Sequence, residues 1–218
     1  MPVLNKIAFY QNRRDEIPNQ KLARQLAETK DKKGIKEIAE NLWAKNKNVR
    51  SDCLKVLYEI GYINSDLIAE YVDDFLKLLK DKENRMIWGA MIGLATIADR
   101  RPQEIWSKIA EVIEAVDQGT LITVVWGVKT MARVAAADRR YSQKLFPILL
   151  GHLKKCLPRD IPMHAESIQC AIGNNQRAKF LAVLKERQAE LKPSQLARLK
   201  KVMKALPVGG GQYGPINK

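Results

Sequence analysis

Histidine, cysteine and aromatic residues are all scarce in this chain of 218 residues, and each scarcity closes off a class of chemistry. The two histidines, His152 and His164, form no H-x-x-x-H pair, so a histidine metal site or a histidine-based triad has no basis. The three cysteines, Cys53, Cys156 and Cys170, are odd in number, far apart and set in apolar runs, and no C-x-x-C occurs. They read as buried free thiols of a reducing compartment rather than as a disulfide, zinc or redox site. Neither G-x-S-x-G nor the P-loop pattern is present, and "GGGQYG" at 209–214 has no strand before it and no helix after it. The longest uncharged apolar run, Thr120 to Val128, falls far short of the roughly 20 residues that span a bilayer. The opening "MPVLNKIAFYQNRRDE" lacks the apolar core of a secretory signal. These absences predict a soluble cytoplasmic protein with no cofactor, no metal, no small-molecule substrate and no membrane partner, and one that is not an enzyme.

Aromatic residues make up only 6% of the chain, whereas hydrophobic residues make up 46%, with Leu, Ile, Val and Ala at helical spacing. That balance predicts an all-α protein. The net charge of +14 is unevenly spread. Residues 1–50 hold 12 Lys/Arg against 6 Asp/Glu, residues 51–138 hold 10 against 14, and residues 139–218 hold 16 against 4. Basicity at the ends, chiefly the C-terminal third, points to an acidic partner or to a merely solvated lysine surface.

The chain also repeats itself. "WGAMIGLATIADRR" from Trp88 and "WGVKTMARVAAADRR" from Trp126 both open Trp-Gly and close Ala-Asp-Arg-Arg. Trp88, Trp126 and His164 recur at a spacing of 38, each followed by a small residue, Gly89, Gly127 or Ala165. Smallness at one recurring spot suits closely packed helices. Apolar helical runs begin at Val49, Arg85, Leu121 and Ile161, with Asn48, Asn84 and Thr120 placed to cap the first three. Amphipathic helices are predicted between and after them, from Ser65, Pro102, Tyr141 and Asn175. An amphipathic helix cannot bury its stripe alone, so the units of about 36 to 38 residues must stack side by side.

The pattern resembles HEAT repeats. "KNKNVRSDCLKVLYEIG" carries the likeness best, with Val49, Arg50, Cys53, Leu57, Ile60 and Gly61 in register, and Met86, Ala90, Leu94, Ile97 and Ala98 follow it in the next copy. The resemblance covers roughly residues 33 to 206 and implies a right-handed α-α superhelix of about five helix pairs. "IPNQKLARQLAETK" would add an N-terminal capping helix, so that 1–206 form one domain and 207–218 a disordered tail. There is also a faint similarity to HEAT-like alkylpurine DNA glycosylases, in Leu42-Trp43 and the single Trp88. The helix comparable to theirs has no carboxylate before Asp99, so it lacks the group that would stabilise an oxocarbenium charge.

A scaffold that binds another macromolecule, most of all a protein, is the function this fold predicts, with nucleic-acid binding as the alternative. Trp88, Trp106 and Trp126 read as core packing; Trp43 is open. Arg100-Arg101 and Arg139-Arg140 each follow an aspartate at the end of equivalent helices, and would form either an Asp–Arg ladder between loops or a grip on anions. Further candidates for macromolecule or anion binding are Lys129 and Arg133, Arg177 and Lys179, and the polar face of the last helix, Arg198, Lys200, Lys201 and Lys204. Lys185, Arg187 and Lys192 fall in the same basic stretch.

Overall fold

A computed structural model describes residues 2–206; the stretch 207–218, read above as a disordered tail, lies outside the described residues. All regular elements among the described residues are helical. They are α1 (Ile17–Thr29), α2 (Lys32–Glu40), α3 (Lys47–Ile63), α4 (Val72–Leu78), α5 (Asn84–Ile97), α6 (Pro102–Ser107), α7 (Ile109–Gln118), α8 (Leu121–Ala137), α9 (Arg139–Lys155), α10 (Ile161–Ile168), α11 (Asn174–Arg187) and α12 (Pro193–Ala205). In chain order they are one leading helix and five pairs: α2 with α3, α4 with α5, α6–α7 with α8, α9 with α10, and α11 with α12. The chain divides into two compact units, Met1–Gly127 and Val128–Lys218, so α8 gives its first two turns to the first and the rest to the second.

In the first unit α3 packs between α1 and α5, and its apolar positions meet Leu22, Leu26 and Leu94 in a dry core. The N-terminal end is closed by polar side chains that answer otherwise orphaned backbone groups. Glu37 of α2 accepts the N–H groups of Val3 and Leu4 at 3.1 and 3.0 Å. Asp52 of α3 accepts from Phe9 N–H at 2.7 Å and from the Asn19 side-chain amide at 2.9 Å, while buried Asn19 accepts the N–H of Ala8 at 2.9 Å. Helix starts differ slightly from expectation. Asn46, in extended backbone, caps α3 by accepting Asn48 N–H at 2.9 Å, so Asn48 lies inside the helix. Asn84 is the first residue of α5, not its cap. The Thr120 carbonyl accepts Val124 N–H at 3.0 Å just before α8.

Two amphipathic stretches are broken where one helix was expected. Residues 65–71 form two 3₁₀ turns before α4, because Asn64 captures the N–H of Asp66 at 3.1 Å and starts a tight turn that delivers Ile68 into the core. The stretch from Pro102 splits at Lys108, where the Ser107 hydroxyl donates back to the Glu104 carbonyl at 2.7 Å.

In the second unit α10 packs on α9 and α12, and α11 on α9 and α12, around Leu149, Leu153, Phe180, Leu184 and Leu199. Arg187, counted above with the basic surface, is only 8% exposed. It donates to the carbonyls of Leu153 and Cys156 at 2.7 and 2.9 Å and pairs with Glu190 at 2.5 Å. It thereby satisfies the carboxyl end of α9, a structural task. Of the three free cysteines only Cys53 is buried; Cys156 is half-buried and Cys170 exposed. Burial pushes the Cys53 thiol up to about 12.

Candidate functional site

The Trp-Gly recurrence at a spacing of 38 acquires its meaning in the first unit. Gly89 of α5 lets Leu54 of α3 approach so closely that a Cβ there would stand 2.6 Å from Leu54 Cδ2, and Gly127 of α8 admits Val116 more closely still. The tryptophan before each glycine projects from a different part of the helix surface. Trp88, Trp106 and Trp126 are half-buried rather than part of the core, which corrects the packing expectation. Trp43 is 49% exposed, its indole N–H donating to Asp74 at 3.1 Å.

On α3, Lys55, Tyr58, Glu59 and Tyr62 fall at i, i+3, i+4 and i+7 and so share one face. Tyr58 meets Trp88 with centroids 6.3 Å apart and Tyr62 at 5.9 Å; Tyr62 meets Trp126 at 5.8 Å. The result is a string of four rings from three helices, Trp88–Tyr58–Tyr62–Trp126. Within the string Tyr58 is buried, whereas Tyr62 is 47% exposed. Ile63 beside Tyr62, and Leu121 and Ile122 on the first turn of α8, are exposed as well, and Ile122 lies one turn before Trp126. Ile63 thus follows Tyr62 and Leu121 and Ile122 precede Trp126 by no more than five residues, so exposed apolar side chains cluster in sequence with these rings.

The polar edge of this surface is built as a unit. Lys55 bridges Glu16 and Glu59 at 2.7 Å each, and its ammonium stands 4.9 Å from the Tyr58 ring centroid. Burial alone would lower the Lys55 pKa, but its bonds to Glu16 and Glu59 more than offset that and raise it. Burial pushes Tyr58 up to about 12 and Tyr62 up as well, so both phenols stay neutral. A cleft lined by Arg14, Asp52, Lys55, Tyr58, Arg85 and Trp88 opens beside the rings. Its carboxylates are committed, since Asp52 holds the N-terminal segment and Glu16 holds Lys55 and, at 3.7 Å, Arg85.

The arginine pairs do not behave as equivalents. Arg100, after α5, reaches Asp66 in the preceding inter-helix segment at 2.7 Å, as a ladder rung would, and Arg101 pairs with Glu104 at 3.2 Å. Arg139 and Arg140 instead open α9, because Asp138 caps that helix by accepting Arg140 N–H at 2.7 Å and also holds the Arg140 guanidinium at 2.9 Å. Lys129 and Arg133 lie half-buried one turn apart on α8, where burial and then the Arg133 charge lower the Lys129 pKa. Arg177 of α11 is half-buried, with its Nε enclosed. Arg198 is tied to Glu166, its Nε at 2.5 Å. Lys179, Lys200, Lys201 and Lys204 are exposed. The aromatic string was not foreseen. Its signal was the i, i+4 tyrosine pair of α3 beside a Trp-Gly recurring at 38.

No protein-family model matches the chain, and no curated protein matches it in sequence. Solved structures do. A designed armadillo repeat protein in complex with the peptide (KR)4 matches with a TM-score of 0.66 and 17% identity, over 86% of this chain and 87% of that one. A computationally designed armadillo repeat protein for modular peptide recognition matches with a TM-score of 0.64 and 16% identity, over 94% and 98%. An engineered protein matches at 0.63 and 15% identity, over 94% and 96%. At such identities the likeness is one of fold: this chain has the helical-repeat fold, the class that holds HEAT and armadillo repeats alike. None of these three structures carries the faint likeness to alkylpurine DNA glycosylases. No helix among the described residues is long and apolar enough to cross a membrane.

Proposed function

We propose that this protein is a non-enzymatic helical-repeat scaffold whose first unit binds an extended segment of another protein along the string Trp88–Tyr58–Tyr62–Trp126. The observation that carries this reading is the open aromatic and aliphatic surface shared by α3, α5 and the start of α8, with Tyr62, Ile63, Leu121 and Ile122 all exposed. Rings held rigidly by their own helices give up little entropy on binding, which makes them anchors for a partner's side chains. The peptide-recognition designs that share the fold support the same use of it. A scaffold role also fits the carboxylates near the rings, each engaged by a cation or by amide donors rather than poised for proton transfer. The buried Cys53 suits a reducing compartment such as the cytoplasm.

The test is selection of binders from a displayed library of unstructured peptides, followed by titration of the enriched peptides against the wild-type chain and against Tyr62→Ala and Trp126→Ala. Peptides that bind the wild type and lose at least about tenfold in affinity on either substitution support the reading, since hot-spot aromatics cost that much or more. Enriched peptides that bind both variants as well as wild type, or no enrichment at all, sink it.

A further inference from the structure

The two units treat charge very differently. Residues 1–127 carry 20 Lys/Arg and 19 Asp/Glu, whereas residues 128–218 carry 18 and 5. Both units are built from the same kind of helix pair and face the same demand for a soluble surface. The first meets it by mixing signs, so solubility does not require the one-sided composition of the second.

The few carboxylates of the second unit are engaged chiefly by its arginines. Asp138 holds Arg140, Asp160 faces Arg159 at 3.9 Å, Glu166 holds Arg198 and Glu190 holds Arg187. Four of the five are thus matched to arginines, and the fifth, Glu186, is exposed on α11. On α11 the exposed residues include Ala178, Lys179, Ala182 and Lys185; on the neighbouring α12 they include Ala197, Arg198, Lys200, Lys201 and Lys204. Lys192 stands exposed just before α12. Alanines between the lysines keep this surface low, so that a polyanion can approach the ammonium groups.

We infer that the α11–α12 face of the second unit binds the phosphate backbone of duplex nucleic acid without reading its sequence. The chemistry selects this occupant in three ways. Lysine ammoniums are point charges that hold phosphates but lack the planar fork by which arginine reads bases, and the arginine of this face, Arg198, is already paired with Glu166. Among the described residues the unit exposes no large aromatic side chain, so the α11–α12 face offers no platform on which unpaired bases would stack. The apolar face of α12 is spent on the core, with Leu199, Val202 and Leu206 buried, so the helix has nothing to insert into a lipid surface. This face belongs to the second unit, and the inference does not depend on the aromatic surface of the first.

The experiment is fluorescence anisotropy of the full chain with a labelled duplex of about 20 base pairs, a single strand of the same length, phosphatidylserine vesicles and polyglutamate, over a salt series. The expected result is duplex binding with a dissociation constant of about 1–100 μM near physiological salt, indifferent to sequence. Lys200→Gln/Lys201→Gln/Lys204→Gln makes the slope of log K against log salt shallower by about 2–3 and weakens binding at least about tenfold at low salt. A matched variant in the first unit, Lys32→Gln/Lys33→Gln/Lys36→Gln, leaves both unchanged and controls for net charge, while circular dichroism confirms that both variants fold. No binding at low salt overturns the inference. So does an equal loss in the two variants, and so does tighter binding of the single strand, the vesicles or polyglutamate than of the duplex.

Discussion

Tyr62 and Trp126 stand with ring centroids 5.8 Å apart and planes inclined by 36°, although one ends α3 and the other lies early in α8. A contact between helices of non-adjacent pairs brings the exposed Tyr62 ring and the half-buried Trp126 ring side by side. Because Trp126 is half-buried, its truncation removes only part of the packing that a core aromatic supplies. Trp126→Ala is expected to cost about 1–2 kcal/mol of stability, below the roughly 3–5 kcal/mol of a fully buried ring. Tyr62→Phe keeps the ring and removes a hydroxyl that is not needed for the contact, so it should leave peptide binding within about twofold. Urea denaturation and peptide titration of the two variants separate packing from recognition.

Gly89 and Gly127 occupy the same place in successive copies but should tolerate a methyl group differently. The Cβ of Gly89→Ala meets the tip of Leu54, a flexible side chain, whereas that of Gly127→Ala meets Val116, which is stiff at χ1. Alanine gains up to about 1 kcal/mol of helix propensity at either site. Overpacking costs about 1–3 kcal/mol and dominates where the neighbour cannot yield. Gly127→Ala is therefore expected to destabilise by about 1–2 kcal/mol net, and Gly89→Ala by less than about 1 kcal/mol. In a double-mutant cycle with Val116→Ala, the Gly127→Ala penalty should largely vanish, as measured by denaturant midpoints. Strict additivity would disprove the steric account.

Arg50 and Asp81 form the ion pair that matters to the first unit. Their side chains are 17% and 13% exposed, and Arg50 also donates to the Leu42 carbonyl at 2.8 Å. Burial pushes the Asp81 carboxyl up, but the Glu83 N–H and the Arg50 guanidinium outweigh it and hold the pKa below its ordinary value. Removing Arg50 strands a partly buried carboxylate and a carbonyl, so Arg50→Ala is expected to cost about 2–3 kcal/mol. Arg50→Lys recovers little of this, because one ammonium cannot reproduce the fork. The rung Arg100–Asp66, with side chains 47% and 66% exposed, should cost less than about 1 kcal/mol on Arg100→Ala. Chemical denaturation of the three variants at one salt concentration checks the ranking.

These contrasts show what could be read from residues alone. The second helices of the pairs were legible because apolar periodicity and the 38-residue recurrence state the same register twice. The breaks at Asn64 and Ser107 were not, because a side chain capturing a nearby backbone group outcompetes helix there without disturbing the apolar pattern. Arg187 read as surface charge because its partners, the Leu153 and Cys156 carbonyls, lie more than thirty residues away and carry no sequence mark. Arg139-Arg140 looked like a copy of Arg100-Arg101, yet Asp138 caps a helix that begins at once, so identical letters took different places. The aromatic string depended on which faces of α3 and α8 met, and that is a property of packing.

His164 takes the position in its copy that Trp88 and Trp126 hold in theirs, but it is buried, with the His152 ring 4.4 Å away at 87°. Burial, with a smaller contribution from His152, lowers its pKa from 6.5 to about 4. The folded protein thus keeps this imidazole neutral over a range in which the unfolded chain protonates it. Between pH 6.5 and about 4 the unfolded state binds more protons, so stability is full above this window and falls as pH is lowered through it. The loss across the window is about 3 kcal/mol from this group alone. Urea denaturation at several pH values should show this slope in the wild type and its reduction by about that amount in His164→Leu. His152→Ala removes a charge that helps lower the His164 pKa, so it should leave the onset near pH 6.5, end the loss at a higher pH and make it smaller. A wild-type stability flat from pH 6.5 to 4.5, or one that His164→Leu leaves unchanged in slope, would show that the imidazole is solvated.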